Sequence, residues 1–124
     1  KNVLVTESLG MRKYLSTLKH SKMVIGNSSS GIYEAPMFHI PTINIGDRQR
    51  GRLQAESIIN CQPDKDSILD AMNKAENRQF RADIPDMKFP YGEGNAAEFI
   101  VNRIISEFAE KEVNIKKQFY NRSI

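Results

Sequence analysis

The chain has 124 residues, 27 % of them charged and 40 % apolar, which suits one ordinary domain with a modest core. No apolar run approaches the ~20 residues of a membrane-spanning helix, and Thr6-Glu7-Ser8 interrupts the opening residues too early for a signal peptide. A net charge of +3, spread out except at Arg48, Arg50 and Arg52, suits a small anionic ligand but is too weak and dispersed for nucleic acid. The single Cys61 excludes an internal disulfide framework and fits a reducing cytoplasm, and the absence of an initiator Met fits a piece of a longer chain.

Val3-Leu4-Val5 is a strand candidate, followed by turn-like residues. Met11, Tyr14, Leu15 and Leu18 then recur at helical spacing. Lys19-His20-Ser21-Lys22 closes that helix with positive charge where the helix dipole favours it. His20 has no companion at ligand spacing and reads as a surface cap rather than a metal ligand. Met23-Val24-Ile25 is an apolar run of the kind expected in a parallel strand covered on both faces.

The next stretch is Gly26-Asn27-Ser28-Ser29-Ser30-Gly31-Ile32-Tyr33-Glu34-Ala35-Pro36. Gly26 permits a sharp turn after the strand. Asn27 and the serines can cap a helix, which is the plain reading. They can also seat an anion, because Ser28 to Gly31 would gather backbone N–H groups and hydroxyls at the positive end of a helix. The pattern is neither GxGxxG nor a Walker loop. A carboxylate at Glu34 would repel phosphate, so it suits a neutral partner such as a sugar hydroxyl. The helix is expected over 29–38, bent at Pro36, and closed by His39-Ile40-Pro41. Thr42-Ile43-Asn44-Ile45 is a further short strand. This alternation predicts an α/β fold, a parallel sheet with helical crossovers, whose ligands sit beyond the carboxyl ends of the strands. The serine turn and residues 46–52 both fall at that edge.

Residues 46–52 carry arginines at alternate positions. They form either a bidentate clamp for a diphosphate or a solvated loop. Residues 53–60 hold a short helical turn running into a strand over 57–61. Cys61 reads as a core thiol, since no paired His is evident. Asp64 is the expected N-cap of a helix with an apolar stripe of Ile68, Leu69, Met72 and Ala75. Residues 77–93 form a proline-bearing loop that lies against a surface through Phe80, Ile84, Met87, Phe89 and Tyr91. Asn95 and Glu98 suggest a capping box for a last helix that buries Phe99, Ile100, Ile104, Ile105 and Phe108. The expected organisation is a domain over 1–110 and a charged extension over 111–124.

Two motifs carry a resemblance: the serine stretch above, and Ile40-Pro41-Thr42-Ile43-Asn44-Ile45-Gly46-Asp47-Arg48-Gln49. With Pro90-Tyr91-Gly92-Glu93-Gly94-Asn95-Ala96-Ala97-Glu98 they resemble the C-terminal part of the UDP-N-acetylglucosamine 2-epimerases, most of all the hydrolysing type of sialic-acid and related nonulosonate pathways. The resemblance implies a Rossmann-like domain, the C-terminal half of a glycosyltransferase-B-type architecture, with UDP or UDP-N-acetylglucosamine as ligand. By position it implies that Ser28 and Ser29 meet the UDP phosphates and that Ser30 and Gly31 complete the turn. Glu34 would hold the ribose, Arg48 and Arg52 would contact the diphosphate, and Leu9 and Tyr14 would contact uracil. It implies no metal and no cofactor, a missing N-terminal domain as partner, a homo-oligomer, and a cytoplasmic location. The family's catalytic acids and bases lie upstream, so none is assigned and the isolated chain is expected to be inactive. The implied chemistry is anti elimination of UDP to a glycal, then hydration at C1 with inversion at C2, giving N-acetylmannosamine. A non-catalytic nucleotide-binding module and a fragment of a UDP-sugar glycosyltransferase of the same architecture are the alternative readings.

Overall fold

The computed structural model describes residues 2–92, 94–110 and 116. The chain divides into two compact units, Lys1–Tyr91 and Gly92–Ile124. Of the extension expected over 111–124, all but Lys116 lies outside the described residues.

The first unit is built on a parallel three-stranded sheet in the order β1 (Val24–Gly26), β2 (Thr42–Ile45), β3 (Ile58–Cys61). Gly26 pairs with Asn44, and Asn44 with Asn60. The expected α/β fold is present, with a Rossmann-like parallel sheet and helices on its faces. On one face, Ile43 and Ile59 pack against Ala71 and Ala75 of α3 (Lys65–Glu76). The small alanines let this helix lie close to the strands. On the other, Ile32 of α2 (Ser30–Tyr33) packs with Ala55 and Ile58. Leu18 of α1 (Gly10–Lys19) packs with Ala35 and Ile40. Ile32 and Ile43 are 0 % exposed, and burying each such side chain contributes about 1.5–3 kcal/mol. Gly26 has φ +152 and Gly46 φ +73. Glycine tolerates both, so the chain can leave β1 and β2 in sharp turns.

Several elements depart from the sequence reading. Val3, Leu4 and Val5 form no strand and are 77 %, 86 % and 88 % exposed; among the described residues nothing supplies a ladder partner for them. Ile25, expected to be covered on both faces, is 44 % exposed, because β1 lies at the edge of the sheet. The helix expected over 29–38 breaks into α2 and a 3₁₀ turn, Pro36–Phe38, with Pro36 at its start. Proline has no N–H to continue the α-helical ladder. The connection from β2 to β3 contains turns and no helix. Asp64 does cap α3, accepting from the Ser67 N–H at 2.9 Å. Leu69 points away from the apolar stripe of that helix and Ala71 takes its place. Inside the expected 77–93 loop lie α4 (Arg78–Asp83) and a 3₁₀ turn, Ile84–Asp86. Asn77 nucleates α4 by accepting from the Gln79 and Phe80 N–H groups.

The second unit contains α5 (Ala96–Glu110). Its expected buried face is open: Phe99 is 67 % exposed and Phe108 65 %. An amphipathic stripe in sequence marks a face able to be covered.

Candidate functional site

Parallel pairing of β1 with β2 puts the serine turn and the arginine loop side by side at the carboxyl edge of the sheet. The turn uses some of its own donors. Ser30 N–H donates to the Ser28 hydroxyl at 3.3 Å, and Gly31 N–H to the Ser28 carbonyl at 3.1 Å. Ile32 and Tyr33 both donate to the Ser29 carbonyl, each at 3.0 Å. The Ser28 and Ser29 N–H groups and the Ser29 hydroxyl make no hydrogen bond among the described residues, and both residues are exposed. These donors therefore face solvent unspent. The plain capping reading holds in part: the Ser28 hydroxyl accepts from the first N–H of α2, while Ser29, at its N-cap, makes no side-chain cap bond. Because α2 has only four residues, its dipole is also a smaller attraction than the expected longer helix would supply.

Asn27 joins the two loops. Gln49 Nε2 donates to the Asn27 carbonyl at 2.7 Å, and Arg48 Nη1 donates to Asn27 Oδ1 at 3.4 Å. Gln49 is 2 % exposed, and its Oε1 is buried with no donor among the described residues. The exposed Arg48 guanidinium thus hangs beside the serine turn. Arg52 is directed elsewhere. Its Nη1 donates to the Tyr33 hydroxyl at 3.0 Å, and the guanidinium lies 5.5 Å from the centroid of the Tyr33 ring. Arg52 is therefore not brought to the serine turn as Arg48 is.

Leu9, Tyr14 and Glu34 share one cleft of about 670 Å³, walled by apolar side chains of α1 and of the 3₁₀ turn after α2. The cleft meets the turn through a hydrogen bond between the Tyr14 hydroxyl and the Ser30 hydroxyl. Glu34 lines this cleft, and Ser28 and Ser29 are not among its lining residues. A second, polar cleft of about 800 Å³ lies below the arginine loop and includes Asn44, Gln54, Asn60, Arg50 and Arg52. In it, Asn44 Nδ2 donates to Asn60 Oδ1 at 2.7 Å, and Asn60 Nδ2 donates to Gln54 Oε1 at 2.8 Å. Among the described residues no three His, Cys, Asp or Glu side chains converge as a metal site.

Sequence reasoning gave no role to Gln49, Tyr33, Asn44 or Asn60. The signal for the asparagines was present: each is the polar third residue of an otherwise β-branched or apolar strand, and the register sets them opposite each other. Tyr91, read from the sequence as a residue laying its stretch against a surface, does so. Its hydroxyl donates to the Leu53 carbonyl at 2.6 Å. Burial, followed by the neighbouring Tyr33, pushes its phenol up, while the Arg52 charge pulls the other way.

Comparison with known proteins gives a consistent picture. The family model described as UDP-N-acetylglucosamine 2-epimerase matches residues 1–105. The chain is 37 % identical over 116 residues to the polysialic acid biosynthesis protein P7 of Escherichia coli, covering 92 % of this chain and 29 % of that protein. It is 48 % identical over 75 residues to the GDP/UDP-N,N'-diacetylbacillosamine 2-epimerase (hydrolyzing) of Campylobacter jejuni, covering 60 % of this chain and 19 % of that protein. It is 41 % identical over 68 residues to a UDP-N-acetylglucosamine 2-epimerase of Neisseria meningitidis, covering 55 % of this chain and 18 % of that protein. The chain thus spans less than a third of the length of each of these relatives.

Proposed function

The chain belongs to the UDP-N-acetylglucosamine 2-epimerase family, and from that premise we propose that it is the UDP-holding C-terminal part of a hydrolysing 2-epimerase. The observation that carries the reading is the junction at Asn27, which sets the Arg48 guanidinium beside the unspent donors of Ser28 and Ser29. Two amides, a hydroxyl and a cation at the carboxyl edge of a parallel sheet suit a diphosphate. The adjoining cleft suits a nucleoside. Tyr14 and Leu9 would flank the base, Glu34 would accept from the ribose hydroxyls, and the apolar walls would cover the ring. Ser30 and Gly31 complete the turn between the two subsites.

In the whole enzyme a second Rossmann-like domain, in a glycosyltransferase-B arrangement, would close over the nucleotide and bring the acids and bases. The reaction would convert UDP-N-acetylglucosamine and water into N-acetylmannosamine and UDP. The C1–O bond to UDP breaks as the C2 proton leaves, and water then adds at C1 while C2 is reprotonated on the opposite face. This chain's part is to hold the departing diphosphate, so that its growing charge meets Arg48 and the Ser28 and Ser29 amides. The isolated chain would bind UDP without turnover. Such an enzyme would work in the cytoplasm, as a homo-oligomer.

Calorimetric titration of the chain with UDP tests the seat. Ser29→Ala combined with Arg48→Ala should weaken binding by about 2–4 kcal/mol, the scale of one charge-assisted and one neutral hydrogen bond. Unchanged affinity would remove the assignment.

A further inference from the structure

The arginine loop has a second anchor, at the end remote from Asn27. Arg52 Nη1 donates to the Tyr33 hydroxyl and its guanidinium lies over the Tyr33 ring. The next residue, Leu53, offers its carbonyl to the Tyr91 hydroxyl at 2.6 Å. The Tyr33 and Tyr91 rings meet edge to face, with centroids 4.6 Å apart and planes at 66°. Phe89 meets Tyr91 in the same manner at 5.8 Å and 63°, and Phe89 packs on the buried cluster of Ile32, Ala55 and Ile58. A chain of rings therefore runs from the core to the loop. Just before this anchor stands Gly51 at φ +82, a backbone position that would let the loop swing if its far end were free.

We propose that Tyr33 and Tyr91 are positioning residues that latch the arginine loop, and that Arg52 serves this latch instead of touching the diphosphate. The inference rests on the reading of Arg48 and the serine turn as the diphosphate seat. An arginine that grips phosphate does so with one open edge of its planar fork. Arg52 has one donor spent on the Tyr33 hydroxyl and its guanidinium within 5.5 Å of the Tyr33 ring centroid. Arg48 has only its contact at 3.4 Å with Asn27 and keeps the rest of its fork in solvent. With the loop tied at Asn27 and at Tyr91, Arg48 is held between two fixed points. Its backbone need not be ordered when the ligand arrives, and that preorganisation is where a residue outside the seat gains leverage on affinity.

Two readouts test the latch. The first needs no ligand: the rate of tryptic cleavage at the Arg52–Leu53 bond, followed by mass spectrometry of the fragment that starts at Leu53. Tyr91→Phe keeps the ring stack and removes one hydrogen bond, so cleavage should rise about five-fold, the factor such a bond carries. Tyr91→Leu removes the rings as well and should raise it further, with far-UV circular dichroism confirming that the sheet persists. Equal cleavage rates in wild type and both variants would overturn the latch. The second readout is UDP affinity in a double-mutant cycle. If Arg52 acts through Tyr33, Arg52→Ala and Tyr33→Phe weaken UDP binding by similar factors, and the double variant by no more than either. A full additional loss from Arg52→Ala in the Tyr33→Phe background would make Arg52 a direct ligand and refute the assignment. Arg48→Ala separates the two levels. If it leaves UDP affinity unchanged, the seat itself is refuted, and with it any role of the latch in binding.

Discussion

Replacing Gly31 by alanine gives a test in which two physical effects have opposite signs. A Cβ built on Gly31 would lie 2.7 Å from Thr42 Cγ2, well inside van der Waals contact. Thr42 has nowhere to go. It is 2 % exposed, it stands in the central strand between Val24 and Ile58, and its hydroxyl donates to the Gly31 carbonyl at 2.8 Å. Overpacking of this kind costs about 1–3 kcal/mol. Against it stands the ordinary gain from glycine to alanine within a helix, about 0.5–1 kcal/mol. The clash should win, leaving a net loss of about 1 kcal/mol in urea unfolding. Thr42→Ser removes Cγ2 and keeps the hydroxyl that holds Gly31. In that background Gly31→Ala should change sign and stabilise the fold. The cycle reads the coupling between the two positions directly. A stabilising Gly31→Ala in the wild-type background would refute the reasoning, as would an identical effect in both backgrounds. Gly31 would then owe its place to something other than the close approach of the serine turn to β2.

Two further outcomes follow from groups around α3. The Asp64 carboxyl titrates below its usual value, first because the Ser67 N–H bonds its charged form. A depressed folded-state value means that the stabilisation is complete above the unfolded carboxylate value of 3.8 and is lost as pH falls through the folded value. Asp64→Ala should therefore lower Tm by a few degrees at neutral pH, and the gap should narrow in acid; a gap constant across pH would dissociate the cap from its charge. Burial, and then the Asp64 charge, raises the Cys61 thiol. Cys61 should thus alkylate with iodoacetamide more slowly than free cysteine near neutral pH, and Asp64→Asn should quicken it. An unaltered rate in Asp64→Asn would remove the carboxylate from the explanation.

How far the sequence could be read depended on how local the cause was. Thr42-Ile43-Asn44-Ile45 is a β-branched run bounded by Pro41 and Gly46, and β2 occupies those four residues. The Asp64 cap needs only a neighbour three residues on. The break at Pro36 was foreseen as a bend, because a missing N–H is visible in one letter. Elements decided by distant partners were misread. Val3, Leu4 and Val5 have strand composition and, among the described residues, no strand to pair with. Leu69 fits a helical stripe at one register, and the sheet selected the register of Ala71 and Ala75 instead. The apolar face of α5 was legible as a face, but nothing in the letters says which surface covers it. In the candidate site, the serine turn and the arginine loop were placed at one edge by strand order alone. The destination of Arg52 was not, because the Tyr91 bond that fixes its neighbour spans 38 positions.

The same contrast bears on how a diphosphate would be held. From the letters, the attraction belongs to a helix running from the serine turn to Phe38. The structure leaves four residues of α-helix there, and several of the first N–H groups already bond within the turn. A dipole that short supplies little, and a neutral turn with two free amides would be a weak seat alone. In the proposed seat the charge would come from Arg48, which bonds the side chain of Asn27 while Gln49, the next residue of the loop, engages its carbonyl. Asparagine suits that position because it offers an acceptor on its side chain as well as on its backbone. On the proposed reading a serine-rich turn would be only part of an anion site: its meaning would depend on the loop after the neighbouring parallel strand, and on whatever holds that loop still.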